Sequence, residues 1–311
     1  MDIFYGILGL VILLLAGDVL VRGAVNLALR LGIPALIVSL TIVSLGTSAP
    51  ELFISIGSVL GGAPGLAMGN VVGSNTANVL LVLGLPALIA TIHCGQSDTR
   101  KSYLIMLAAT AWFVFLAFLG PLTWVHGLLL LAALTVILTS QFREARAHAA
   151  TATAEELEGA DPAMPRWRIG FYLALGLVGL PVGADLLVDS AVNIATRMGV
   201  SETVIGLTLV AIGTSLPELA TTIMAAIRRH AEVALGNVIG SNIFNLLAII
   251  GTAALFGTIP VSDVILRFDI WIMIGASLAL IPFVIFRQNI TRIAGLGLTG
   301  FYFAYVLIVL V

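Results

Sequence analysis

The sequence predicts an all-α polytopic membrane protein, with ten transmembrane helices arranged as two inverted five-helix repeats and broken helices at the centre. Three observations predict it. The chain has 311 residues, is 60% hydrophobic and only 10% charged, and has a mean hydropathy of +1.14. A soluble domain of this size cannot hide so much apolar surface. The segment Gly46-Thr-Ser-Ala-Pro-Glu51 returns 167 residues later as Gly213-Thr-Ser-Leu-Pro-Glu218. A single long polar stretch, from about Gln141 to Arg168, divides the chain between the two copies.

Ten hydrophobic segments lie near 3–21, 34–60, 64–91, 102–118, 122–141, 168–190, 203–227, 231–257, 268–286 and 295–311. A bilayer crossing needs roughly 17–25 residues, so the longer segments imply tilt or a break. Strands of a membrane barrel would alternate apolar and polar residues, and these segments do not. The N-terminus has no basic region ahead of its apolar run, so it reads as the first span and not as a removable signal. Residues 1–141 form the first five-span repeat, 142–167 a cytoplasmic linker and 168–311 the second repeat. The linker carries Glu155, Glu156, Glu158 and Asp161 among alanines and threonines, the composition of a solvated connector. The formal charge of −2 and the lack of a basic block give no sign of a nucleic-acid partner. Nothing in the sequence points to an obligate protein partner or a cofactor, and the lipid bilayer is the expected surround. The one cysteine, Cys94, excludes an internal disulfide and a thiolate metal cluster.

The halves align at an offset of 167 without a gap. Between 39–84 and 206–251, 20 of 46 positions are identical. The match extends upstream, pairing Asp18 with Asp185, Asn26 with Asn193, Arg30 with Arg197 and Gly32 with Gly199. An odd number of spans per repeat turns the second copy upside down relative to the first. Charge supports this. With the N-terminus outside, the inner loops and span ends carry Arg22, Arg30, Arg100, Lys101, Arg143, Arg146, Arg166, Arg168, Arg228, Arg229, Arg287 and Arg292. The outer side keeps Arg197 and Arg267, a strong positive-inside asymmetry that places both termini outside.

In each motif a glycine and a proline interrupt an apolar run. Proline removes a backbone donor and clashes with the preceding turn, and glycine loosens the backbone. The expected result is a helix break, with Ser48 or Ser215 capping the half-helix that follows and Glu51 or Glu218 completing a Ser-x-x-Glu capping box. A purely capping role is the competing reading, but a neutral Gln would serve it. A carboxylate at mid-bilayer costs at least ~2.5–3.5 kcal/mol on insertion scales, and two symmetry-related ones are better explained by a shared cation. The break also frees backbone carbonyls around Ser44–Thr47 and Ala211–Thr214, tolerated at that depth only where they line a cavity or bind something.

A second phrase follows each motif: Gly69-Asn-Val-Val-Gly-Ser-Asn-Thr-Ala-Asn78 and Gly236-Asn-Val-Ile-Gly-Ser-Asn-Ile-Phe-Asn245. It adds Asn70, Ser74, Asn75 and Asn78, with mates Asn237, Ser241, Asn242 and Asn245. Ser74 and Asn78 share a helix face, as do Ser241 and Asn245. A single Asn or Ser would be read as a helix–helix hydrogen bond; eight of them paired across a duplication favour a polar site. Gly69, Gly73, Gly236 and Gly240 form small-xxx-small patterns that permit close helix approach. The donors are hard oxygens, which suit calcium, with about 6–8 ligands, and sodium. Zinc or copper would call for histidine or thiolate. His93, His126, His148 and His230 fall at span ends or in loops and read as structural.

These paired phrases resemble the alpha repeats of the cation/calcium exchanger superfamily, and most closely those of prokaryotic sodium/calcium exchangers. The resemblance covers the whole chain. It implies an antiporter that moves calcium against sodium by alternating access, without enzymatic activity, with four central helices holding the ions and the first and sixth spans sliding against them. It implies that Glu51 and Glu218 ligate calcium with the backbone carbonyls of Thr47 and Thr214. It assigns Ser48, Ser215, Ser74, Ser241 and the carbonyl of Ala211 to sodium, with Asn78 and Asn245 at the remaining polar positions. Some microbial members, and the potassium-dependent ones, carry Asp where this chain has Asn245, which argues against potassium cotransport here. Ser44, opposite Ala211, offers either an additional ligand or a bond back to its own helix.

The expected direction is calcium export across the plasma (inner) membrane of a prokaryote. A calcium/proton antiporter is the nearest alternative and a cation channel the next. An intramembrane enzyme lacks a Ser–His, Ser–Lys or His–Glu–x–x–His arrangement beside the glutamates.

Overall fold

The computed structural model describes residues 1–96, 99–149, 161, 163–199 and 211–310. Glu155, Glu156 and Glu158 of the linker, and residues 203–210 at the start of the seventh segment, lie outside the described residues. In chain order the helices are α1 (Asp2–Leu31), α2 (Ala35–Thr47), α3 (Ala49–Leu60), α4 (Pro64–Ile89), α5 (Arg100–Phe118), α6 (Trp124–Ala149), α7 (Arg166–Arg197), α8 (Ala211–Thr214), α9 (Leu216–Ile227), α10 (Ala231–Phe256), α11 (Ile265–Val284) and α12 (Arg292–Leu310). Eight are long and apolar enough to cross a membrane. The pair α2 and α3 makes a further broken span, bent by 44°. The short helices α8 and α9 are the described part of the seventh segment. Among the described residues the only β pairing is two isolated bridges, Ile92 with Ile290 and Leu122 with Ile259.

Several helices outrun their hydrophobic segments. The first segment ends near residue 21, yet α1 continues to Leu31. Asp18, Arg22, Asn26 and Arg30 recur every four residues, so they share one face and the helix stays regular while its hydropathy falls. Arg22 pairs with Asp18 at 3.1 Å, and the Asn26 amide donates to the Arg22 carbonyl at 2.8 Å. Gly32 then ends the helix in the left-handed region, at φ 65°, and its repeat mate Gly199 follows α7 with φ 80°.

The long helices α1 and α7 lie antiparallel. Contacts climb one helix as they descend the other, from Gly6 against Ser190, through Gly9 and Gly183, to Gly176 against Leu20 and Gly23 against Leu173. At the crossing point the backbones touch. A Cβ on Gly9 would lie 2.8 Å from the Gly183 carbonyl oxygen, and one on Gly183 would lie 3.0 Å from that of Gly9. Small residues let membrane helices gain dispersion contact that lipid cannot supply. Since α1 and α7 occupy equivalent positions in the two repeats, their opposite directions are the inversion made visible. The ends agree. Arg197 pairs with Asp2 at 2.7 Å at one end of the bundle, while Asp18 pairs with Arg228 and Asn26 receives the Asp161 N–H at the other.

Two apolar clusters result. The larger fills the body formed by α3 to α6 and α9 to α12, with bulky members such as Tyr103, Phe113 and Met68. The smaller lies where α1 and α7 meet that body, and alanine and valine supply all its buried members except Leu13, Leu20 and Leu180. Substituting Gly183→Leu overpacks the α1–α7 crossing. It is expected to cost at least about 1–3 kcal/mol, seen as a thermal unfolding midpoint several degrees lower in detergent, whereas Gly170→Leu, with open space at its Cβ, leaves the midpoint unchanged.

Candidate cation site

Both helix breaks fall where glycine and proline place them. Ser48 and Ser215 have nearly identical irregular backbones, φ −86° and ψ 9° against φ −87° and ψ 4°. Each occupies the N-cap position of the following helix, and a proline stands in that helix's first turn. The expected serine side-chain caps are absent: neither hydroxyl bonds its own helix. Ser48 instead donates across the repeats to Glu218 Oε1 at 2.9 Å. A charged acceptor makes this a strong bond, and it links the first break to the glutamate that follows the second. Ser215 Oγ is buried with no hydrogen-bond partner.

Glu51 on α3 is 1% exposed and Glu218 on α9 is fully buried. Ser241 of α10 adds a longer contact to Glu218 Oε1, at 3.5 Å. The second phrases bring α4 and α10 to the same place. Asn75 donates to the carbonyl of Asn242, its own repeat mate, at 3.3 Å, so the pseudo-twofold axis passes between them. Asn78 donates to Asn242 Oδ1 at 3.1 Å, and the Asn242 amide reaches Met106 Sδ at 3.7 Å.

The distribution of unpartnered atoms marks the site. Among the described residues nine buried side-chain polar atoms lack a hydrogen-bond partner, and seven of them belong to the two motifs. Six are oxygens, of Glu51, Glu218, Ser215, Asn75, Asn78 and Asn245. An unmatched buried polar group costs about 1–3 kcal/mol. Carboxylate, amide and hydroxyl oxygens are the hard donors that calcium and sodium take.

A surrounding layer holds the glutamates in place and repeats across the axis. The Asn70 amide donates to the Glu51 carbonyl at 3.4 Å and to Ser55 Oγ at 3.1 Å. The Asn237 amide donates to the Glu218 carbonyl at 3.2 Å and to Thr222 Oγ1 at 3.1 Å. Sequence reasoning missed Ser55 and Thr222, although both are hydroxyls four residues after the glutamate in each copy. The Thr47 hydroxyl donates to Asn237 Oδ1 and to the Ser44 carbonyl, both at 3.3 Å, and Thr214 is buried beside the second break. Ser74 is buried on α4. Ser44 bonds the Ser39 carbonyl at 2.8 Å and that of Asn237 at 3.0 Å, so its hydroxyl faces α10. Gly240 admits that approach: a Cβ there would lie 2.6 Å from the Leu40 carbonyl oxygen. Of Ala211 the backbone is described, opening the turn of α8. The histidines stand apart from the site: His126 accepts the Thr123 N–H at the start of α6, and His230 caps the start of α10 by position.

Comparison with known proteins agrees with this geometry. A family model described as sodium/calcium exchanger protein matches residues 1–143 and 169–311. The chain is 37% identical over 279 residues to the putative antiporter CaxA of Alkalimonas amylolytica, covering 88% of this chain and 87% of that protein. It is 33% identical over 339 aligned positions to the sodium/calcium exchanger MaX1 of Methanosarcina acetivorans, covering 97% and 96%. The solved structure of the exchanger NCX_Mj soaked with 10 mM Na+ and 10 mM Sr2+ superposes with a TM-score of 0.84 at 31% identity, over 98% of this chain and 97% of that one. With a family model matching both halves, relatives matched over most of their length and the whole fold in common, the chain belongs to the sodium/calcium exchanger family of transporters.

Proposed function

We propose that this protein exchanges calcium for sodium by alternating access, exporting calcium across the plasma (inner) membrane of a prokaryote, with both termini outside. The observation that carries the reading is the cluster of unpartnered buried oxygens around two glutamates at the pseudo-twofold axis. Glu51 and Glu218 ligate calcium with the carbonyls of Thr47 and Thr214. Ser48, Ser215, Ser74, Ser241 and the Ala211 carbonyl serve sodium, and Asn78 and Asn245 turn their amide oxygens to the same centre. Ser44 holds α2 against α10.

Coupling follows from charge. Two calcium-coordinating carboxylates match the ion's double charge, and sodium ions on the same oxygens achieve the same balance. An empty site leaves two buried carboxylates unpaired in a low dielectric, which disfavours occlusion and so suppresses leak. The apolar surface between α1, α7 and the body is mostly alanine, valine and leucine, side chains without hydrogen-bonding groups, and suits a sliding pair. The repeats 1–141 and 168–311 are the units that exchange roles as the site changes sides.

Sodium-driven calcium uptake into inverted membrane vesicles tests this directly. Glu51→Gln and Glu218→Gln each reduce uptake to background, and undiminished uptake in either removes it from the site. Asn70→Ala and Asn237→Ala release equivalent supports, so each raises the half-saturating calcium concentration by about 10–100-fold, the usual cost of losing a ligand's outer partner. A large effect in one and none in the other would refute the symmetric role. A sodium gradient drives calcium movement and a pH gradient alone does not; the reverse result identifies a calcium/proton antiporter.

A further inference from the structure

We infer that Asp269, an acid no motif contains, is a cation way-station at the entrance to the site on one side of the membrane only. A cavity of about 420 Å³ runs between α3, α4, α11 and α12. Its lining includes Asn70, Ser74 and Thr214, which border the cation site, and Asp269, Tyr302 and Tyr305. Ser74 and Thr214 are buried, whereas Asp269 is partly exposed and lies two residues beyond Arg267, whose side chain is 82% exposed. The cavity therefore connects the neighbourhood of Glu51 and Glu218 to one end of the bundle. That end is the one where the loop at Gly257 abuts Val59, since a Cβ on Gly257 would lie 2.8 Å from Val59 Cγ1.

Asp269 is unusual in its setting. It sits in an apolar span, and an ionisable group there points to function by default. It ends the π-helical segment Ile265–Asp269; such segments interrupt α-helices most often at functional sites. Tyr305 donates its hydroxyl to Asp269 Oδ1 at 2.9 Å, and Phe268 stacks on the Tyr305 ring. That contact fixes the carboxylate but does not require its charge, because an amide oxygen would accept the same bond. The tyrosine ring faces also suit a passing cation.

The feature is absent from the other repeat. At the offset of 167, Asp269 falls opposite Ser102 and Tyr305 opposite Leu138. The equivalent positions of the other repeat thus lack the acid and the tyrosine, and cation recruitment is one-sided. This inference rests on the antiporter reading, whose orientation makes the Asp269 side the outer one.

Calcium self-exchange, measured with isotope in right-side-out and inverted vesicles, tests it independently of the counter-ion. Asp269→Asn is expected to raise the half-saturating calcium concentration at the outer face by about three- to tenfold at low ionic strength, as loss of a focusing charge does. The difference shrinks at high ionic strength. Saturating rate and inner-face half-saturation stay at wild-type values, and Asp269→Glu restores the outer face. An outer-face half-saturation equal to wild type overturns the inference. So does equal impairment from both faces that Asp269→Glu fails to rescue, which assigns the carboxylate to helix packing. Wild-type self-exchange without sodium-driven uptake refutes sodium coupling and leaves this comparison intact. Absence of calcium self-exchange in the wild type overturns both.

Discussion

Two carboxylates buried at the centre of an apolar bundle are the constraint on which the rest of the structure depends. Glu51 and Glu218 have no water to solvate them, and charges taken from water into such surroundings are stable only when paired or richly hydrogen-bonded. The protein supplies part of that compensation itself, through Ser48 and Ser241 on Glu218 and through the asparagines that fasten each glutamate's backbone. It stops short of completing it. One oxygen of each carboxylate remains without a donor, as do those of Ser215, Asn75, Asn78 and Asn245. A core selected only for stability would have satisfied or deleted these groups. Leaving them unmatched keeps in the folded core an electrostatic cost that a bound cation would relieve.

The same constraint explains where the molecule is rigid and where it is smooth. The glutamates must be held in place, and the broken span that carries Glu51 is tied to α10 by side-chain bonds that cross the repeat boundary, such as Ser39 of α2 to the Val233 carbonyl at 2.7 Å. The α1–α7 pair carries no such load. It joins the body through an apolar surface of alanine, valine and leucine, and an ion pair from Asp18 to Arg228 ties α1 to the turn after α9. Apolar contact of that kind resists separation without the directional side-chain bonds that fix the glutamates.

Much of this was legible in the sequence, for definite reasons. Glycine and proline have strong local effects, so the breaks at Ser48 and Ser215 followed from Gly46, Pro50, Gly213 and Pro217. The duplication made the glutamates and asparagines stand out against an apolar background. Helix lengths were less legible, because hydropathy reports the lipid-facing stretch and not the helix: α1 runs past its apolar part on a stripe of Asp18, Arg22, Asn26 and Arg30. The expected serine caps do not form, and a local capping pattern cannot reveal that Ser48 instead donates to Glu218, 170 residues away. Ser55 and Thr222 passed unnoticed because one hydroxyl on a helix is uninformative until Asn70 and Asn237 are seen to reach it. The π-helical segments at Ser39–Val43, Phe244–Ile249 and Ile265–Asp269 have no sequence signature at all.

The duplication also shows where symmetry is broken, and the breaks concentrate at the site. The Ser48 amide reaches back four residues to the Ser44 carbonyl, whereas that of Ser215 reaches back three, to Ile212. Ser48 engages the opposite glutamate while Ser215 engages nothing. Asn78 lies in an α-helical stretch and donates to Asn242, but Asn245 lies in a π-helical one with both side-chain atoms unpartnered. Two sequences so alike, folded into two local arrangements, show that each arrangement is accessible to this motif. On the alternating-access reading the two repeats trade these arrangements, and the trade inverts which side of the site is closed. A cation filling the orphaned oxygens would act on both arrangements at once, since those oxygens belong to both repeats. The near-identity of the repeats keeps the two states close in energy, and the ion supplies the differential interaction that moves the protein between them.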